Sequence, residues 1–156
     1  MKVFALALVV LAAVAASTPA PVVDQAEFGV WDADTNGVPQ LLVTKTVPLD
    51  LGIVYGWRLH LTGSNAHIRV KQALTLPAAP QSWGRNNELR LSGDKRTATF
   101  ERQMQPKDGW IAEFIRVADG DPEGKHKLEV FIDGRLAQTF DFETKTDAPF
   151  PETKQP

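Results

Sequence analysis

The feature that most constrains this chain is an alternation of apolar and polar residues with a period of two. No stretch places apolar residues at i, i+3, i+4 and i+7, as an amphipathic helix requires. In LGIVYGWRLHLTG, residues 51–63, one parity holds Ile53, Tyr55, Trp57, Leu59 and Leu61. The other holds Val54, Gly56, Arg58, His60 and Thr62. Successive side chains of a strand point to opposite faces, so this spacing predicts a strand with one buried face. A turn at Gly63-Ser64-Asn65 follows, and the pattern resumes. Ile68, Val70, Leu74 and Leu76 oppose His67, Arg69, Lys71 and Thr75, until Pro77 ends the strand.

The C-terminal stretch HKLEVFIDGRLAQTFDFE, residues 126–143, sets two local rules against each other. Leu128, Val130, Ile132, Leu136, Phe140 and Phe142 share even parity. Asp133-Gly134 between the two halves suits a two-residue type I′ turn, but that turn pairs odd with even positions and splits the apolar set. A one-residue slip in register flips every side chain. Burial of the whole set therefore predicts a three-residue loop, Ile132 to Gly134, with Gly134 in a left-handed bulge position.

Further strands are expected at Glu27 to Trp31, Gln40 to Thr46, Leu89 to Leu91, Thr97 to Gln103 and Trp110 to Val117. The last has apolar residues on both parities, as a central strand covered on both sides would. Trp57 is core by its alternation, and Trp31 and Trp110 are expected to join it. The fold class read from these signals is all-β: one antiparallel sandwich of about seven to eight short strands. The domain runs over 26–146, after a lead-in at 17–25 and before a proline-rich, disordered tail at 147–156.

The first sixteen residues read as a signal peptide. Lys2 is followed by an apolar run from Val3 to Ala16 that ends in small residues, too short to span a bilayer, which needs about 20. No stable membrane anchor is expected after cleavage. The chain contains no cysteine, so neither a lipid-attachment thiol nor a disulfide framework is available. An exported protein, periplasmic or secreted, is the expectation. The net charge of −2 offers no basic face for nucleic acid.

The segments EFGVW, TKTVPLDLGIVYGWRLHLTG (44–63) and GKHKLEVFIDGRLAQTFDFE (124–143) resemble a family of small exported bacterial proteins catalogued as a domain of unknown function. The resemblance extends over most of 26–143, and Val47-Pro48-Leu49, Gly52, Gly56, Thr62-Gly63 and the closing hairpin carry it. It implies an immunoglobulin-like sandwich and supplies no catalytic residue.

Sites must then be sought residue by residue. In WDADTNG, residues 31–37, Asp32, Asp34, Asn36 and Gly37 occupy the first positions of a calcium-binding loop. Val43 stands where the closing bidentate glutamate belongs and Pro39 interrupts the loop, so it is not an EF-hand. A looser calcium site, completed from DGDPEG (119–124), is one reading, and an ordinary turn is the other. His60, His67 and His126 lack the spacing of structural zinc sites and read as surface residues. Ser64, Ser82 and Ser92 lie in turns outside any G-x-S-x-G elbow, so no enzyme is expected and no cofactor is required. Trp83 lies in a polar, proline-flanked loop with Arg85, Asn86 and Asn87. That group is the candidate contact for an envelope protein or a glycan, unless Trp83 folds back as a lid on one end of the sandwich. The expected role is binding or accessory work in the cell envelope. A strand-pairing module and a calcium-responsive protein are its alternatives.

Overall fold

Period-two patterning does produce strands wherever it is strict. The computed structural model describes residues 20–63, 66–84 and 88–152, and the signal segment 1–16 lies outside them. Ten strands form among the described residues: β1 (Val22–Ala33), β2 (Pro39–Val43), β3 (Thr46–Pro48), β4 (Val54–Thr62), β5 (Ile68–Thr75), β6 (Arg90–Leu91), β7 (Thr97–Met104), β8 (Trp110–Arg116), β9 (Gly124–Ile132) and β10 (Arg135–Lys145). They build two facing sheets, one in the order β2-β1-β4-β8 and the other in the order β3-β10-β9-β5-β7-β6. Among the described residues no helix is long and apolar enough to cross a membrane.

The core lies between the sheets and follows the parities. Tyr55, Trp57, Leu59 and Leu61 of β4 meet Ile68, Val70 and Leu74 of β5 and Leu128, Val130 and Ile132 of β9. Trp57 is fully enclosed. Its indole N–H donates to Gln72 Oε1 at 2.9 Å, which explains a glutamine on the inward parity of β5: a buried indole needs an acceptor.

Several expectations are corrected. Gln40 to Thr46 is not one strand. The chain leaves the first sheet after β2, and β3 enters the second sheet parallel to β10, with Val47 opposite Thr144. β1 begins at Val22, within the lead-in, and absorbs a bulge between Val23 and Gln25. β8 is the edge of the first sheet, not a central strand. Its two apolar parities are explained differently: Ile111 faces the core while Trp110 and Phe114 lie on the outer face with Trp31, so neither Trp31 nor Trp110 is core.

The hairpin between β9 and β10 also departs from expectation. Ile132 pairs directly with Arg135, and Asp133 and Gly134 have φ of 48° and 82°, the two-residue type I′ geometry. The local turn preference wins because the parity conflict is removed one step later. A bulge between Leu136 and Gln138 inserts Ala137, after which Phe140 and Phe142 face inward opposite Leu128 and His126. The cost is confined to Leu136, which is left exposed. Asp133 also docks the turn on β5, its carboxylate accepting the Arg69 N–H at 2.9 Å and its own N–H donating to the Arg69 carbonyl at 2.9 Å.

Candidate functional site

The two sheets do not close on each other along one side. β8 ends the first sheet there, and β7 faces it from the second. Between them opens a cavity of about 400 Å³, within the roughly 300–1,000 Å³ range of small-molecule sites. Inward positions of β5 and β7 form one wall through Leu74, Ala98 and Phe100, and Tyr55 and Ile115 form the other. Toward the entrance Arg102 Nη2 reaches Glu113 Oε2 across the gap at 2.8 Å. Burial raises the Glu113 carboxyl above its ordinary pKa in spite of that guanidinium.

Polar groups gather at the end where the β8–β9 loop crosses the cavity. Ala118 and Asp121 close a turn, with the Ala118 N–H donating to Asp121 Oδ2 at 2.8 Å and the Asp121 N–H to the Ala118 carbonyl at 3.3 Å. The buried Thr144 hydroxyl donates to the Pro122 carbonyl at 3.0 Å and ties this turn to β10. His126 stands on the inward parity of β9 and stacks on Phe142 with ring centres 4.9 Å apart. It is buried, which corrects the expectation of a surface histidine. Its Nδ1 lies 2.8 Å from the Gly124 carbonyl. A carbonyl only accepts, so the proton sits on Nδ1 and leaves Nε2 as an acceptor. Burial lowers the His126 pKa and, with Asp121 adding to the effect, raises that of Tyr55. Burial also raises the Asp121 carboxyl. The Tyr55 ring packs on Phe142 at 5.4 Å, and its hydroxyl has no hydrogen-bond partner among the described residues.

Trp83 covers this end. It packs against the core, and its indole N–H donates to the Lys95 carbonyl at 2.8 Å, so it folds back as a lid. The Gln81 N–H donates to the Gly120 carbonyl at 3.4 Å, tying the lid segment to the loop that carries Asp121. Arg85, Asn86 and Asn87 lie outside the described residues.

The remaining sequence candidates do not converge on the cavity. Asp34 Oδ1 accepts the N–H groups of Asn36 and Val38, each at 2.8 Å, and Gly37 adopts φ 77°. The loop of Asp32, Asp34 and Asn36 is thus organised by an Asx turn, with Asp32 and Asn36 exposed. Among the described residues no three His, Asp or Glu side chains are grouped to hold a metal. His60 is on the outer face, with Nδ1 2.7 Å from Asp24 Oδ1 and its ring against Trp110, and His67 is exposed. The cluster of Tyr55, Asp121 and His126 escaped the sequence reading. Its one signal was His126 on the apolar parity of β9.

A family model described as the PM0630 beta sandwich domain matches residues 26–145. Among solved structures, an immunoglobulin-like protein of Pseudomonas aeruginosa is 18% identical, with a TM-score of 0.56 over 83% of this chain and 99% of that one. At that identity the likeness shows the fold. A chain of the Pseudomonas fluorescens alkylpurine DNA glycosylase AlkC, solved with DNA containing an abasic site analogue, matches at 15% identity and a TM-score of 0.38. It covers 65% of this chain and 28% of its own length, and a likeness that weak carries no argument. No curated protein sequence matches. The all-β sandwich expected from the strand pattern, and the immunoglobulin-like form that the resemblance implied, are therefore shown, and the chain belongs to the PM0630 beta sandwich domain family.

Proposed function

We propose that this protein is an exported, non-enzymatic binding domain of the bacterial cell envelope, which takes a small ligand in the cleft between β7 and β8 beneath Trp83. The observation that carries the reading is the cavity of about 400 Å³, mostly apolar, with an unpartnered Tyr55 hydroxyl at its end. An apolar pocket with a few convergent polar groups is the usual form of a ligand site. Export rests on Lys2 and the apolar run behind it. Binding rather than catalysis is favoured by the bonds the polar groups make. Ser82 Oγ accepts the Gly84 N–H, His126 Nδ1 is held by the Gly124 carbonyl, and Asp121 accepts from Ala118. Ser82, His126 and Asp121 line one cavity without forming the hydrogen-bonded relay that activates a nucleophile.

Titration with the neutral dye N-phenyl-1-naphthylamine tests the reading. The dye should brighten on binding with one-to-one stoichiometry, and Ala98→Phe, which fills the cavity from β7, should abolish the response. A response unchanged in Ala98→Phe would place binding elsewhere. Cell fractionation tests export directly, and recovery of the protein only in the cytoplasm with residues 1–16 intact would refute it.

The strand-pairing alternative has one observation in its favour. β8 is an edge strand with neither proline nor lysine, two of the devices that protect edges. Beyond Trp110, which pairs with Lys107, its outer edge is unpaired by any strand among the described residues. The Phe114 N–H turns from the sheet to Glu113 Oε1 at 3.3 Å. Phe114→Pro should therefore preserve the fold and block any added strand, and a partner complex that survives it would exclude this mode.

A further inference from the structure

The donors and acceptors at the end of the cleft are unequal in number. The Asp121 carboxylate has one oxygen engaged by the Ala118 N–H. His126 Nε2 is an acceptor, because Nδ1 holds the proton for the Gly124 carbonyl. The Tyr55 hydroxyl is free to accept. The rings of Tyr55 and His126 lie on the same Phe142 side chain, and both residues line the cavity with Asp121. Of the two guanidinium groups lining the cavity, Arg102 is paired with Glu113 and Arg116 donates to the Gly52 carbonyl at 3.2 Å. The end of the cavity is therefore rich in acceptors, bears a carboxylate, and is walled by Leu74, Leu76 and the ring of Trp83.

Resting on the cleft as the binding site, we propose that its ligand is a primary amine bound as the ammonium, carried on an apolar body of about the size of an aromatic ring. A primary ammonium has three N–H donors and no acceptor, matching the three acceptors of Asp121, His126 and Tyr55. Its charge compensates the carboxylate, and an aromatic ring beside it, that of Trp83, favours a cation. An alcohol supplies a single donor. A carboxylate ligand supplies none and is repelled by Asp121.

Calorimetric titration of the purified protein at pH 7 with 2-phenylethylammonium, 2-phenylethanol and phenylacetate varies the charge while the ring is kept. The ammonium should bind about tenfold or more tightly than the alcohol, as charge-assisted bonds do, and phenylacetate should not bind. Asp121→Asn should narrow the ammonium-to-alcohol ratio to about threefold or less. Tyr55→Phe, which keeps the ring and removes one acceptor, should narrow it as well. Equal affinity for ammonium and alcohol, or no ammonium binding while N-phenyl-1-naphthylamine still enters, overturns the ammonium assignment and leaves the cleft standing. Loss of dye binding as well overturns both.

Discussion

Single residues decide how closely the strands of this sandwich approach. A Cβ on Gly56 would lie 2.0 Å from the Glu113 carbonyl oxygen and 3.1 Å from Trp31 Nε1. Gly56→Ala must therefore push β4 from β8, and overpacking of this kind costs about 1–3 kcal/mol, to be read from urea unfolding. Two tryptophans make a sharper contrast. Trp31 Nε1 is buried without an acceptor among the described residues, whereas Trp57 Nε1 has Gln72. Trp31→Phe discards an unmet donor and should cost less than about 1 kcal/mol. Trp57→Phe leaves a void and strips Gln72 of its donor, and should cost more than about 2 kcal/mol. His126 gives the pH dependence. Its folded pKa lies below the ordinary 6.5, so the unfolded chain binds more protons as pH falls through that value, and stability declines with acidification. Asp121 and Glu113, with folded pKa values above the ordinary 3.8 and 4.5, act in the opposite sense at lower pH. Between pH 7.5 and 5.5 the urea midpoint should fall more in the native protein than in His126→Gln. Equal falls would show that His126 is not buried in its neutral form.

At the scale of elements, what the sequence disclosed depended on how much a local rule could be amended by its neighbours. The alternation of β4 and β9 was legible because one slip would expose an entire apolar face. The turn at Asp133-Gly134 was misread because nothing in the residues announces a bulge at Ala137, and the bulge alone reconciles a type I′ turn with inward Phe140 and Phe142. Gly134→Ala tests this geometry. A side chain at φ 82° costs roughly 1–2 kcal/mol, to be measured by chemical denaturation, and a neutral substitution would argue for a different turn. β8 illustrates another limit. Apolar residues on both parities indicate two covered faces in a central strand, but here they reflect an edge strand whose outer face carries Phe114 close to Trp31, ring centres 4.7 Å apart. The turn at Asp34 was legible from Asp, Asn and Gly alone. The cluster at the end of the cleft was not, because Tyr55, Asp121 and His126 come from three separated segments that only the sheet pairing assembles.

For the molecule as a whole, the decisive feature is the cavity left between the facing lengths of β7 and β8. The chain transfers from the first sheet to the second between β2 and β3, so that side is bridged by backbone. On the other side the chain crosses at the β7–β8 and β8–β9 connections, and between the facing lengths of β7 and β8 a cavity persists. Family membership and the structural likeness explain the sandwich. The cavity and its acceptor-rich end carry the functional reading. Methyl NMR spectra recorded with and without N-phenyl-1-naphthylamine test that claim most directly. The account predicts shifts at Leu74, Leu76, Ile115 and Val117, which line the cleft, with Val43 and Leu51 unmoved on the exterior. Shifts confined to exterior methyls, with those four unchanged, would contradict it.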